Sequence, residues 1–485
     1  MAVQQVNETR LLRKFNHPNV VRYYLADSDL DFVYIALELC EGCLVDYIEK
    51  TPVGEKFLKL HSDSGKHFKK VILNDVLSGL NYLHDLDIIH GDIKPQNILL
   101  RKVKQRVNLV KDLYFEGVLS DFGLSLEIDE GRRSKTAHDN LIGSDGWRAK
   151  EVLTMLEKAS DKSIKKKSKK KVKGTKAVDI FSFGCVMQYV MTEKSKQYYM
   201  HPFGDINHRN YNIRAEERRS YLSSLPKYKS WKPNLNDVLA DMLIEICVLG
   251  NPELRPTTKE IAKNPFFWDA TTMIQFLERV FNDIKSASKD SGFGKILEDN
   301  WSKYHKQGFT KEIREAFNYN TKHNSKSCSP HKLCNFLRIL RNIRQHYQEI
   351  VARSSKEPIC KALSDCLGQG GDEDFSRYFL EKVAGALPVV YLSFIKHPRI
   401  DSYHSYYSLE DLNSEVSEER FKYQWTTLDK VLLRQDNDGG QVQRRSRTPS
   451  GQGSSESSNG QERSQTPNAN GKGRSRTPSE SRHGK

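Results

Sequence analysis

A chain of 485 residues, with Lys+Arg 77 against Asp+Glu 62, carries a net charge of +15 and a pI near 9.2. That length has room for two or three domains of roughly 100 to 200 residues, and the charge favours polyanionic partners such as RNA, DNA or an anionic membrane surface. The eight cysteines are scattered instead of spaced as a disulfide framework, so they read as reduced intracellular thiols. Cys40-Glu41-Gly42-Cys43 forms a C-x-x-C, but no second pair or histidine pair follows at zinc spacing. No apolar run reaches the roughly 18 residues of a membrane span, and Met1–Gln5 has neither part of a signal peptide; the chain reads as soluble, with no membrane segment.

In chain order, Glu8–Phe15 places Leu11, Leu12 and Phe15 among charges and precedes His17-Pro18, the pattern of a helix that stops at a proline. Phe32–Cys40 is a nearly continuous apolar strand, and Val71–Leu86 carries Ile72, Leu73, Val76, Leu80 and Leu83 at helical spacing. That helix delivers the chain to Ile89-His90-Gly91-Asp92-Ile93-Lys94-Pro95-Gln96-Asn97. Phosphoryl transfer to a hydroxyl needs these residue types: Asp92 to orient and deprotonate the hydroxyl, Lys94 to neutralise the moving phosphoryl group, and Asn97 to hold a magnesium ion. Val118-Leu119-Ser120-Asp121-Phe122-Gly123 supplies the second metal ligand, Asp121.

These two motifs resemble the catalytic loop and metal-binding loop of protein kinases, with Gly91 where an Arg is usual. The resemblance implies an ATP/ADP site with Mg2+ on Asn97 and Asp121. Backbone groups of Glu38 and Cys40 would bond the adenine at the hinge, and Lys94 would reach the phosphates. It also makes Glu8 the helix carboxylate that pairs with a strand lysine; that lysine and the glycine-rich loop would precede residue 1. The expected fold is therefore α+β, kinase-like and lacking most of the N-terminal lobe. Arg132–Thr136 offers hydroxyls for phosphorylation. Gly143–Glu151 closes the activation segment with Lys150 where kinases carry Pro, Glu151 is expected to pair with Arg255, and Asp179 is expected to hold the backbone of the catalytic loop. Lys162–Lys176 has nine lysines in fifteen residues, which suits a solvated insertion or a nuclear-localisation or RNA-attracting patch.

Past Asn264–Trp268, Leu333–Val351 has apolar residues at 333, 336, 337, 340, 343, 347, 350 and 351 in one helical stripe. At about 100° per residue, Asn342 and His346 lie about 40° apart on the far side of that stripe, with Arg341 about 100° from Asn342. Metal-free RNA cleavage needs a base for the 2′-hydroxyl, an acid for the departing 5′-oxygen and a cation at the phosphate. His346 suits the acid, Arg341 the phosphate clamp and Asn342 a positioning role; Arg338 and Arg344 are further candidates for RNA contact.

Together with Gly143–Glu151, Val178–Cys185, His201–Gly204, Pro265–Trp268 and Trp301, the Arg-Asn-x-x-x-His set resembles one narrow family over roughly residues 6 to 407. This is the inositol-requiring kinase/endoribonuclease family of the unfolded protein response, with ribonuclease L as a related alternative. The resemblance implies Tyr319 as the base, with Tyr304 in reserve, and a 2′,3′-cyclic phosphate product formed with no cofactor. It implies stem-loop mRNA as substrate, homodimers or higher oligomers, and residence in the cytoplasm, on the cytoplasmic face of the endoplasmic reticulum if a further part supplies a span. A non-catalytic, degenerate kinase scaffold is the competing reading. The expected domains are a kinase-like domain at 1–268, an all-α ribonuclease domain at 269–410, a linker with a terminal helix at 411–434, and a disordered tail at 435–485. Arg445–Ser450 recurs in the tail as Arg463–Asn468 and Arg474–Ser479, which marks sites for proline-directed kinases.

Overall fold

Helix α1 (Ala2–Leu12) leads into a hairpin of β1 (Tyr23–Ser28) and β2 (Val33–Leu37), followed by β3 (Gly42–Cys43) and α2 (Leu44–Glu49). The computed structural model describes residues 2–52, 54–55, 65–107, 110–128, 143–160, 175–192, 201–219, 234–286, 292–305, 332–352, 372–383, 385–395, 397, 400–408 and 415–432. Next come α3 (Gly65–Asp85), β4 (Ile88–Ile89), β5 (Ile98–Val107), β6 (Val110–Leu119) and β7 (Leu126–Glu127). Helices then dominate: α4 (Lys150–Ser160), α5 (Ala177–Met191), α6 (Arg209–Arg214), α7 (Leu235–Cys247) and α8 (Thr258–Ala262). Beyond residue 268 the described elements are all helical: α9 (Ala270–Ser286), α10 (Phe293–Tyr304), α11 (Leu333–Ala352), α12 (Asp372–Lys382), α13 (Ala386–Phe394), a short 3-10 turn at Ile400–Tyr403, and α14 (Glu415–Leu432).

Among the described residues the three sheets are small, ordered β1-β2, β3-β5-β6 and β4-β7, and all paired antiparallel. The β5-β6 ladder runs from Ile98↔Leu119 to Val107↔Val110. Only its base was legible as Val118-Leu119, because the outer part of β5 is charged, from Arg101 to Arg106. The buried ends of these strands, Ile98, Leu100, Val118 and Leu119, join Ile72, Val76 and Leu80 of α3 in the core around the catalytic loop. Leu80 and Leu83 are fully buried, as the helical spacing of α3 required.

Several expected elements change. The first helix lies at Ala2–Leu12, earlier than Glu8–Phe15; Phe15 instead packs its ring 4.8 Å from Phe122. The expected strand Phe32–Cys40 shortens to Val33–Leu37, and Phe32, Tyr34 and Leu39 are 63%, 56% and 95% exposed, so the hairpin face is solvated instead of buried. Arg101 ties this hairpin to the body: its guanidinium pairs with Glu38 (3.0 Å) and Glu116 (2.5 Å) and donates to the Pro18 carbonyl (2.8 Å). The terminal helix, expected from Tyr423, starts at Glu415. No described helix is long and apolar enough to cross a membrane. Arg132–Thr136, Tyr319, most of Lys162–Lys176 and the 435–485 tail lie outside the described residues.

Candidate functional site

The loop between β4 and the turn Pro95–Asn97 is fixed by a single buried carboxylate. Asp179, in the first turn of the buried helix α5, accepts from the backbone amides of His90 (2.9 Å) and Gly91 (2.9 Å), and its Oδ2 lies 2.9 Å from His84 Nε2. Gly91 has φ +81°, a left-handed conformation that glycine adopts without a Cβ clash. His90 Nδ1 accepts from the Asp92 amide (3.3 Å), which puts the ring proton on Nε2, 3.1 Å from the Ser120 carbonyl. Burial lowers the pKa of His90, so the imidazole is a neutral strut.

Asp92 is 4% exposed. Its Oδ2 accepts from Lys94 Nζ (2.6 Å) and Asn97 Nδ2 (3.1 Å), while Oδ1 is buried with no hydrogen-bond partner. An orphaned carboxylate oxygen is what an incoming hydroxyl donor would satisfy. Lys94 also donates to Ser144 Oγ (2.7 Å), joining the loop to the far end of the activation segment. Asn97 Nδ2 additionally donates to the Asp92 carbonyl (3.0 Å), leaving its amide oxygen for a cation. Asp121 adopts φ +65°, and the next residue, Phe122, is fully buried, 4.9 Å from the His90 ring. Oxygen donors on Asn97 and Asp121 suit a hard cation such as Mg2+.

Glu8 lies against the metal-binding loop. Its carboxylate accepts from the Phe122 amide and sits beside Asp121; burial first, and that neighbouring charge second, raise its pKa. Among the described residues no lysine or arginine pairs with it. At the hinge, the Glu38 amide donates to the Arg22 carbonyl (2.9 Å), and its carboxylate faces Arg101. Burial pushes the half-buried Cys40 thiol up to about 11, so it is not a nucleophile. The Glu151–Arg255 pair forms as expected and is bidentate, 2.7 and 2.8 Å, with the Arg255 side chain fully buried. Lys150, the unusual residue in that motif, pairs with Glu216.

The second centre is on α11. Leu333, Phe336, Leu337, Leu340 and Ile343 are buried as the stripe predicted, while Arg341 and Asn342 are half-buried. The His346 side chain is 59% exposed, its Nδ1 3.4 Å from Glu349 one turn on. Arg341 Nε is buried with no hydrogen-bond partner. The helix is held at its start by Glu298 of α10, which accepts from the Leu333 (3.0 Å) and Cys334 (2.8 Å) amides, a carboxylate at the positive end of a helix dipole. Arg344 pairs with Glu278 at 2.6 Å, both side chains 17% exposed. Tyr304 donates to Asp429 Oδ1 (2.5 Å), and burial followed by that hydrogen bond raises its pKa well above the ordinary tyrosine value, so it acts as a donor and not as a base. Sequence reasoning missed Glu298, Glu278 and Asp429, because nothing local marks a partner so far along the chain.

Two family models match the chain, a protein kinase domain over residues 2–267 and Ribonuclease 2-5A over residues 273–407. The human serine/threonine-protein kinase/endoribonuclease IRE2 is 32% identical over 354 residues, covering 71% of this chain and 33% of the relative. The sensor for unfolded proteins in the ER of Schizosaccharomyces pombe, ire1, is 32% identical over 381 residues, covering 77% and 32%. The Caenorhabditis elegans serine/threonine-protein kinase/endoribonuclease ire-1 is 29% identical over 387 residues, covering 79% and 34%. The chain thus spans about a third of the length of these relatives.

Proposed function

The chain belongs to the inositol-requiring kinase/endoribonuclease family, and from that premise we propose that it is a bifunctional Ser/Thr protein kinase and endoribonuclease of the unfolded protein response. A nucleotide-bound kinase lobe assembles into homodimers or higher oligomers and so activates metal-independent cleavage of stem-loop mRNA, as in RNA splicing. The observation that carries this reading is the Arg341-Asn342-His346 set on the open face of α11, directly after a kinase lobe whose catalytic loop is internally fixed.

In the ribonuclease reaction Tyr319 takes the proton from the 2′-hydroxyl, and the 2′-oxygen attacks phosphorus. The bond to the 5′-oxygen breaks, and His346 protonates that oxygen as it leaves. The products are a 2′,3′-cyclic phosphate and a free 5′-hydroxyl. Arg341 stabilises the charge on the phosphate and Asn342 orients it. In the kinase half, the Glu38 carbonyl and Cys40 amide are the hinge groups for adenine of ATP or ADP, and Asn97 with Asp121 would hold Mg2+, which neutralises the phosphates when bound. Asp92 would take the substrate hydroxyl on its unpartnered Oδ1, with Lys94 at the transferred group. A second reading applies to this half alone: Gly91 and Lys150 stand where kinases carry Arg and Pro, which favours a nucleotide-binding scaffold with weak phosphoryl transfer.

We assign 1–268 to the kinase-like domain, 269–410 to the ribonuclease, 411–434 to a linker and terminal helix, and 435–485 to a tail phosphorylated by proline-directed kinases, with the protein in the cytoplasm at the endoplasmic reticulum surface. The test is cleavage of a stem-loop RNA by the full chain in the presence of a chelator. His346→Ala and Arg341→Ala should each lower the rate by roughly 100-fold or more; full activity in either variant sinks the site assignment.

A further inference from the structure

Helix α14 lies beyond both family matches, which end at residues 267 and 407. It nevertheless holds both halves of the chain. At its N-terminal end Arg420, its side chain 8% exposed, donates to the Leu254 carbonyl (2.8 Å) and the Arg255 carbonyl (3.3 Å) and pairs with Glu260. Arg255 is the residue whose guanidinium grips Glu151 at the end of the activation segment. Nine residues on, roughly 13 Å along the helix axis, Asp429 accepts from Tyr304 of α10, and Trp425 stacks on the same ring at 6.3 Å. Gln424, Thr427 and Leu428 are buried between these ends, and Leu432 reaches Gly385 ahead of α13. Helix α10 in turn carries Glu298, which caps the helix of Arg341 and His346.

We propose that α14 is a strap that couples the anchor of the activation segment to the helix pair carrying the ribonuclease residues, with Arg420 as the kinase-side buckle and Asp429–Tyr304 as the other. A buried arginine with three acceptors is strongly position-specific: its planar fork spans two carbonyls and a carboxylate, a geometry lysine cannot reproduce. Loosening either buckle should therefore loosen the element at the opposite end as well as its own. The consequence for RNA cleavage rests on the ribonuclease reading above; the coupling itself does not.

The test is amide hydrogen exchange across the full-length protein. Arg420→Ala should raise exchange of α10 (293–304) by about tenfold, although the hydrogen-bond partners it loses, Leu254, Arg255 and Glu260, all lie in the kinase lobe, and Tyr304→Phe should raise exchange of residues 254–262 by a similar factor. Arg420→Lys, which retains the Glu260 pair alone, should give an intermediate increase in α10. Tyr304→Phe removes one hydroxyl and keeps the ring, so it reports coupling even if Arg420→Ala fails to fold. Increases confined to the substituted side would overturn the proposal. RNA cleavage by the unsubstituted protein, measured in parallel, separates the two ideas: if it is absent, the ribonuclease reading fails while the exchange result stands on its own.

Discussion

The loop from His90 to Asn97 and the outer face of α11 carry the two candidate chemistries, and they are built in opposite ways. The loop is held from within, by Asp179 under its backbone, His90 wedged against Ser120 and Lys94 spanning Asp92 and Ser144. On α11 the stripe Leu333, Phe336, Leu337, Leu340 and Ile343 is buried; His346 stands 59% exposed on a helix fixed by contacts made elsewhere, at Glu298 and Glu278. A site of the first kind is preorganised, and damage to it spreads into the fold. A site of the second kind can lose its chemistry while the fold remains intact.

The largest expected effect on stability is at Asp179. Asp179→Ala leaves the buried His90 and Gly91 amides and His84 without their acceptor, and should lower unfolding free energy by about 3 to 5 kcal/mol in denaturant titration; a loss below about 1 kcal/mol would mean the loop is not held from α5. Arg344→Ala is next: it removes the ion pair with Glu278 and should lower stability by about 1 to 3 kcal/mol, while cleavage per folded molecule stays near the original rate. Selective loss of RNA binding would instead return Arg344 to the substrate face.

A pH titration probes the region behind the loop. Asp75 accepts from the Gly117 amide (2.9 Å), and burial pushes its carboxyl up to about 6 against an ordinary 3.8. The folded chain therefore keeps a proton that the unfolded chain has released. Stability falls as pH rises from about 4 to 6 and stays lower above that, by about 1 to 3 kcal/mol. Asp75→Asn should flatten that slope and match or exceed the unsubstituted protein at pH 7; an unchanged slope would assign it to other groups. The smallest effect is at Gly91, where Gly91→Ala forces a side chain into φ +81° and should cost about 1 to 2 kcal/mol. No loss would show that the loop relaxes.

Much of this contrast was legible in the residues themselves. Asp92, Lys94, Asn97 and Asp121 are dictated by short motifs, and the α11 stripe by helical spacing, because both signals are local. The Glu151–Arg255 and Asp179 contacts were legible only through the kinase resemblance, since they link residues 104 and 88 or 89 positions apart. No resemblance reached the pairs Arg344–Glu278, Tyr304–Asp429 and Arg420–Glu260; they join ordinary surface residue types across 66, 125 and 160 positions. The start of α14, expected at Tyr423, lies in a charged stretch: Glu415, Glu418 and Glu419 precede Arg420, which is buried.

The central claim is that RNA cleavage resides on the open face of α11 and is separable from the fold. It is tested most directly by measuring stem-loop RNA cleavage and thermal unfolding together in the full chain and in His346→Ala. The account predicts a rate loss of roughly 100-fold or more with stability unchanged to within about 0.5 kcal/mol, as expected for an exposed side chain. Undiminished cleavage, or a loss that appears only with a matching collapse in stability, would contradict it.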